Sequence, residues 1–151
     1  ATPAKQSEIL LLRGCNSEQI RDFKNLGVVQ TYSYGDTIPL AEEKGSLVFV
    51  EGGKLNVYHN KAVVETLKEG DIWGEETFIN PSSSFTVLKA QSEVQLRHFQ
   101  RRKIMEFFTY NDETLTKRYM INLIQCMYMK WRRSMFRLEL YSGFNYERTG
   151  N

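Results

Sequence analysis

Short apolar segments separated by turn residues fill the middle of the chain, from residue 28 to residue 99. Gly, Asn, Asp, Pro or Ser interrupts them about every eight to twelve residues, a spacing typical of an all-β roll, barrel or sandwich. Residues 47–50 form a continuous apolar run, which predicts a buried strand. Residues 55–58 and 63–67 alternate on either side of Asn60-Lys61, which predicts a hairpin.

Segments with helix-type features lie on both sides of this region. Asn16 and Gln19 can form a capping pair ahead of a short N-terminal helix. After residue 101, apolar residues at helical spacing (Ile104, Phe107 and Phe108) predict a second short helix. Asp112 then offers an N-cap to a helix of about thirty residues with no Gly or Pro before Gly143.

The long helix carries more apolar surface than one small β domain can cover. One stripe at three- and four-residue spacing comprises Met120, Leu123, Ile124, Met127, Trp131, Met135 and Leu138. We expect a homodimer through this stripe, within residues 115–138. The alternative is a helix packed entirely on its own β domain. A basic cluster with Lys130, Arg132, Arg133 and Arg137 is interpreted as a solvated helix face.

Composition excludes several classes of protein. The 151 residues are 41% hydrophobic and 25% charged, with 20 basic and 18 acidic side chains, two His and two Cys. This is ordinary globular composition, and a charge of +2 is too small for strong nonspecific attraction to nucleic acid. The few His and Cys residues predict neither a disulfide framework nor a metal site. We expect a cytoplasmic protein that is not an enzyme, with no membrane-spanning segment.

Two Gly-Asp pairs, Gly35-Asp36 and Gly70-Asp71, each precede a strand-like segment. Residues 47–57, residues 69–78 and the long helix complete an ordered set of features. In this order, the set resembles the cyclic-nucleotide-binding domain of the Crp/Fnr (catabolite-activator) family of transcription regulators. Residues 146–151 resemble, more weakly, the start of that family's helix-turn-helix domain.

The resemblance implies a mainly β fold with flanking helices: a double-stranded β-helix, or jelly-roll-like β-roll, followed by a long C-terminal dimerisation helix. Residues 1–110 would form the effector domain with its N-terminal helix, and residues 111–142 the dimerisation helix. Residues 143–151 would form a hinge toward a missing DNA-binding domain. DNA would be bound only through that missing domain.

The resemblance also places a phosphate-binding cassette at Gly74-Glu75, where the family's Glu accepts a bond from the ribose hydroxyl. The family's phosphate-binding Arg is replaced by Ser84, and one neutral hydroxyl is a poor substitute for a bidentate cation. The candidate pocket comprises Gly74, Glu75, Glu76, Ser82, Ser83, Ser84, Phe85 and Thr86. We therefore expect no cofactor and no ordinary cyclic-AMP binding. Another small effector, an empty pocket and weak cyclic-nucleotide binding remain open.

These features favour the effector-sensing and dimerisation domain of a Crp/Fnr-like regulator. The alternative is a stand-alone degenerate module that only dimerises or docks a partner. His98 is a conceivable haem ligand, because some family members bind haem through a histidine. A lone strand histidine is more commonly half-buried and hydrogen-bonded, and we expect that for His98.

Overall fold

A computed structural model describes residues 10–39, 46–75, 78 and 86–149, without the side chains of residues 134 and 136–149. A 3-10 turn at Leu10–Leu12 and helix α1 at Ser17–Lys24 precede the strands. The strands are β1 Val28–Tyr32, β2 Thr37–Ile38, β3 Leu47–Gly52, β4 Lys54–His59, β5 Ala62–Lys68, β6 Ile72–Trp73, β7 Thr86–Ala90 and β8 Val94–Phe99. Helices α2, Arg101–Thr109, and α3, Glu113–Thr149, follow.

The described strands form two four-stranded antiparallel sheets, ordered β1-β8-β3-β6 and β2-β7-β4-β5. Their inner faces pack together through buried aliphatic side chains from both sheets: Val48, Val50, Leu55, Val57, Leu88 and Leu96. The predicted β-roll with flanking helices is confirmed, because the two sheets pack face to face and bury these side chains between them.

The predicted hairpin at Asn60-Lys61 joins β4 to β5. Both turn residues have positive φ, 49° and 66°, as a two-residue loop of the type I′ class requires. Asn tolerates this conformation better than most residues. The local sequence therefore determines the turn.

The two Gly-Asp turns are structural repeats. In each, a carboxylate oxygen of Asp36 or Asp71 accepts the backbone N–H three residues earlier, at 2.9 Å. Gly35 and Gly70, with φ of 86° and 89°, each donate their N–H to a strand carbonyl at 2.9 Å. The Asp side chain and the left-handed Gly together close the turn, and the sequence echo thus marks two equivalent corners of the roll.

A second core lies between sheet β1-β8-β3-β6 and the helices. Phe23 of α1 packs its ring against Phe49, Phe99 and Phe108, with centroids 5.1–6.2 Å apart. Tyr119 of α3 joins the same cluster, 4.5 Å from Phe108. Aromatic rings at these separations contribute beyond their buried area. The start of α3 is therefore part of the domain itself.

Polar contacts fix α3 against the N-terminal turn. Asp112 caps the helix by accepting the Thr114 N–H at 3.0 Å. The buried Asn122 amide donates to the carbonyls of Leu11 and Arg13 at 3.0 and 2.9 Å. Arg118 donates to the Gly14 carbonyl at 2.6 Å. These contacts fix which face of α3 points inward.

Two sequence expectations about α3 are wrong. The helix does not end at residue 142: it continues through Gly143 to Thr149, because a single glycine in a helix costs only about 1 kcal/mol. Leu123 is completely buried within its own chain and so cannot lie in an exposed dimer stripe.

The described helices include none with the length and apolar character to cross a bilayer.

Candidate effector pocket and helix face

Gly74 and Glu75 lie directly after β6, where the chain turns into a helical segment. The N–H of Phe78 donates to the Gly74 carbonyl at 2.9 Å, the spacing of an α-helical turn. Gly74 has a φ of 104°, and a side chain there would collide with the Ser46 carbonyl. Only glycine therefore fits this position. Arg101 donates to the Phe78 carbonyl at 2.8 Å and holds the segment against α2.

Glu75 is buried, with an exposed fraction of 2%. Its Oε1 accepts a hydrogen bond from the Nζ of Lys130, on α3, at 3.0 Å. The same Nζ donates to the Ile72 carbonyl at 2.7 Å. A second carboxylate, Glu65 Oε1 on β5, lies 3.7 Å from it. The carboxylate expected to face a ligand is thus engaged by the long helix.

Burial dominates the electrostatics of Glu75. Desolvation raises the pKa of its carboxyl above the ordinary 4.5, and the nearby Glu65 carboxylate adds to that effect. Lys130 opposes it, by charge and by its hydrogen bond. Burial also raises the pKa of the adjacent Cys126 thiol to about 12, so that this thiol stays protonated at neutral pH.

The structure describes three residues of the predicted pocket: Gly74, Glu75 and Thr86. Thr86 begins β7, opposite His59, and is only half-buried. The remaining predicted pocket residues, Glu76, Ser82, Ser83, Ser84 and Phe85, lie outside the described residues. The expectation that Ser84 stands where the family has its phosphate-binding Arg thus stays a prediction.

The outward face of α3 is apolar. Ile121, Ile124, Tyr128 and Trp131 are more than half exposed, and Met120 and Met135 are 39% exposed. Tyr128 and Trp131 stack with centroids 6.0 Å apart. Of the predicted stripe, Met127 is half-buried and the side chain of Leu138 lies outside the described residues.

The sequence prediction for Lys130 is wrong. We expect this residue on a solvated basic face, but its side chain is only 23% exposed and extends to Glu75. Its position four residues after Cys126 and seven after Leu123, both buried, places it on the inner face of α3. This spacing could have predicted that Lys130 faces inward, but only if the sequence had shown which face of α3 packs on the domain.

His98, the conceivable haem ligand, contacts a neighbouring strand of its own sheet. The Nε2 of His98 lies 3.0 Å from the hydroxyl of Tyr32, which is the expected half-buried and hydrogen-bonded state. Burial lowers the pKa of His98. Within the described ranges, no three His, Cys, Asp or Glu side chains are grouped so that they could hold a metal ion.

The sequence matches no protein-family profile and no curated protein. Its structure is similar to a cyclic-nucleotide-binding domain from Methylobacillus flagellatus, with a TM-score of 0.75 at 20% identity over 90% of this chain and 82% of that one. The Thermus thermophilus catabolite activator protein gives 0.69 at 18% identity over 88% of this chain. The regulatory subunit of a cAMP-independent protein kinase A from Trypanosoma brucei gives 0.56 at 22% identity, over 64% and 36% of the two chains.

This chain spans 63% of the Thermus thermophilus activator. At these identities the likeness is one of fold, and the similar structures include both transcription regulators and isolated binding domains. The chain therefore has the cyclic-nucleotide-binding jelly-roll fold with a long C-terminal helix, as catabolite-activator-type regulators do.

Proposed function

We propose that this chain is the effector-sensing and dimerisation domain of a Crp/Fnr-like transcription regulator. It is a cytoplasmic, non-enzymatic module that binds a small molecule in the β-roll and pairs with a second copy through α3. DNA is bound through a further domain of the full-length protein.

The contact between Lys130 and Glu75 carries this proposal. It joins the cassette, where a ligand would bind, to the helix that would form the dimer. A ligand that competes for Glu75 changes what Lys130 contacts, and so changes how α3 packs on the roll. Two arrangements of one packed helix are a common basis for switching.

The exposed face of α3 supports the homodimer. Ile121, Tyr128 and Met135 are spaced by seven residues, as are Ile124, Trp131 and Leu138. Such a heptad repeat favours pairing of two helices in a left-handed coiled coil. The inner face is already buried against its own domain, so this outer seam is the surface left for a partner.

The pocket differs from one suited to cyclic AMP. Glu75 is engaged by Lys130, and Glu65 adds a second carboxylate to the same region. A cyclic phosphate placed there meets two carboxylates and the one ammonium that already pairs with them, so its negative charge is not compensated. Calorimetric titration should therefore detect no cyclic-AMP binding. Micromolar affinity would refute the altered pocket.

A stand-alone module that acts only by dimerisation or partner docking is the second candidate. The occupation of Glu75 by a lysine of the same chain favours it, because a permanently filled cassette needs no effector. The coding sequence immediately after Asn151 separates the two. A helix-turn-helix there supports the regulator, and a stop codon supports the stand-alone module.

A further inference from the structure

Among the described residues, three oxygen atoms from three elements lie close to the Lys130 ammonium. Glu75 Oε1 and the Ile72 carbonyl lie at 3.0 and 2.7 Å, and Glu65 Oε1 lies at 3.7 Å. Each oxygen is an acceptor, and an ammonium has three N–H donors and no acceptor. We name these three oxygens the ammonium cradle.

The register between β4 and β5 places Glu65 in the cradle. Leu55 and Val57 of β4 pair with Leu67 and Glu65 of β5, and the β-bulge at Val64 comes only after these pairs. Residues directly opposite in an antiparallel pair share a face, and Val57 is buried inside the roll. Glu65 therefore faces inward, as the buried Leu67 two residues later does, and an ionised carboxylate there requires a cationic partner.

The charges of the cradle favour a cation. Glu65, Glu75 and Lys130 sum to one net negative charge when all are ionised, and an anionic ligand would add to it. A small cavity of about 60 Å³ borders Lys130 and Ile72; Asp71 and Arg133 also line it, and Glu65 and Glu75 do not. The two carboxylates thus favour an ammonium group at the position of the Lys130 Nζ, and the Lys130 side chain itself borders open volume.

We propose that Lys130 is an intramolecular ligand of the cassette, and that the cradle is a receptor for a primary ammonium group. The effector class that can replace Lys130 is then a small molecule with a primary amine, and a cyclic phosphate is not. This inference rests on the proposed function in taking the cassette as the effector pocket. Exchange of the two ammonium groups breaks the contact between Lys130 of α3 and the cassette.

Chemical rescue tests the receptor. Lys130→Ala removes three methylenes and the ammonium, which n-propylammonium closely replaces. We expect n-propylammonium to raise the thermal midpoint of Lys130→Ala saturably, by at least about 3 °C. Tetramethylammonium at equal ionic strength, which has no N–H donor, should leave it unchanged.

Two variants control the rescue. Lys117→Ala removes a lysine of the same helix that is 71% exposed and pairs with Glu113 at its surface, and it should show no rescue. Lys130→Ala combined with Glu75→Gln should lose it. Absence of rescue, or equal effects of both cations, would overturn the proposal. If Lys130→Ala is unfolded alone, n-propylammonium must restore its circular dichroism spectrum, and failure to do so counts against the receptor equally.

The outcome is separable from that of the proposed function. Rescue in a chain that light scattering finds monomeric at every concentration supports the cradle and contradicts the dimerisation domain. A dimeric chain without rescue supports the dimerisation domain and contradicts the cradle.

Discussion

The Nζ of Lys130 lies 3.0 Å from the Oε1 of Glu75, although 55 residues separate them in the sequence. One belongs to the long helix and the other to the first turn of the cassette. The ion pair is mostly shielded from water, since Glu75 is 3% exposed at its side chain. Its strength determines how tightly the helix and the cassette are joined.

Removing the lysine should destabilise the domain. We expect Lys130→Met to lower the free energy of unfolding by about 3 kcal/mol, because it leaves the buried Glu75 carboxylate, with the half-buried Glu65 near it, without a cation. Adding Glu75→Gln should recover part of this loss, with a coupling energy of about 1–2 kcal/mol in a double-mutant cycle. Denaturant unfolding measures each corner, and Lys117→Met serves as the surface control. Strict additivity would contradict the ion pair.

The raised pKa of Glu75 predicts a pH dependence. The folded chain holds the Glu75 proton at higher pH than the unfolded chain does, so this group stabilises the fold as pH falls. Relative to Glu75→Gln, the wild type should gain unfolding free energy on acidification from neutral pH toward 4.5, the unfolded value. The groups around this carboxyl are Lys130, Glu65, Tyr119 and Cys126. A constant difference between the two proteins over this range would contradict the shift.

The Tyr119 hydroxyl is buried and has no hydrogen-bond partner among the described residues. Burial raises its pKa, so that it stays protonated. Tyr119→Phe keeps the ring in the aromatic cluster and removes an unsatisfied polar group, and it should stabilise the domain by about 1 kcal/mol. Tyr110→Phe, at an 87% exposed position, should change nothing. Destabilisation by Tyr119→Phe in urea unfolding would imply a partner for that hydroxyl.

Asn122 holds α3 to the N-terminal turn. Asn122→Ala leaves the carbonyls of Leu11 and Arg13 without their donor and should cost about 2 kcal/mol in unfolding free energy. Gln125→Ala, on an exposed position of the same helix, is the matched control. Equal stability of the two variants would mean that the turn is held by packing alone.

The sequence predicted features that depend on local chemistry. The capping box of Asn16 and Gln19 is present, with bonds of 2.8 and 3.0 Å in the two directions. The turns at Asn60-Lys61 and at the two Gly-Asp pairs also form as expected, because a few neighbouring residues determine each one. The spacing of the turns predicted an all-β roll, barrel or sandwich, and the resemblance to the Crp/Fnr family specified the β-roll.

The inner contacts of α3 could not be predicted in this way. Apolar residues surround much of the helix, so that periodicity alone did not separate Leu123, which faces the core, from Ile124, which faces outward. Lys130 looked like a surface cation because its carboxylate partners come from β5 and the cassette. The alternation of β5 shows that Glu65 shares a face with Leu67, but it does not show which cation the Glu65 carboxylate meets.

The exposed seam of α3 is the surface on which the proposed dimer depends. Ile124→Glu places a charge at its centre and should produce a monomer, whereas Gln125→Glu, one residue away and outside the seam, should not. Both variants should retain the fold, since both positions are exposed in the single chain.

Light scattering across a range of concentrations is the most direct measurement of the central claim. It distinguishes the mass of one 17.7 kDa chain from that of two. We expect two chains for the unmodified protein and for Gln125→Glu, and one chain for Ile124→Glu. A single-chain mass for the unmodified protein at every concentration would contradict the proposed dimerisation domain.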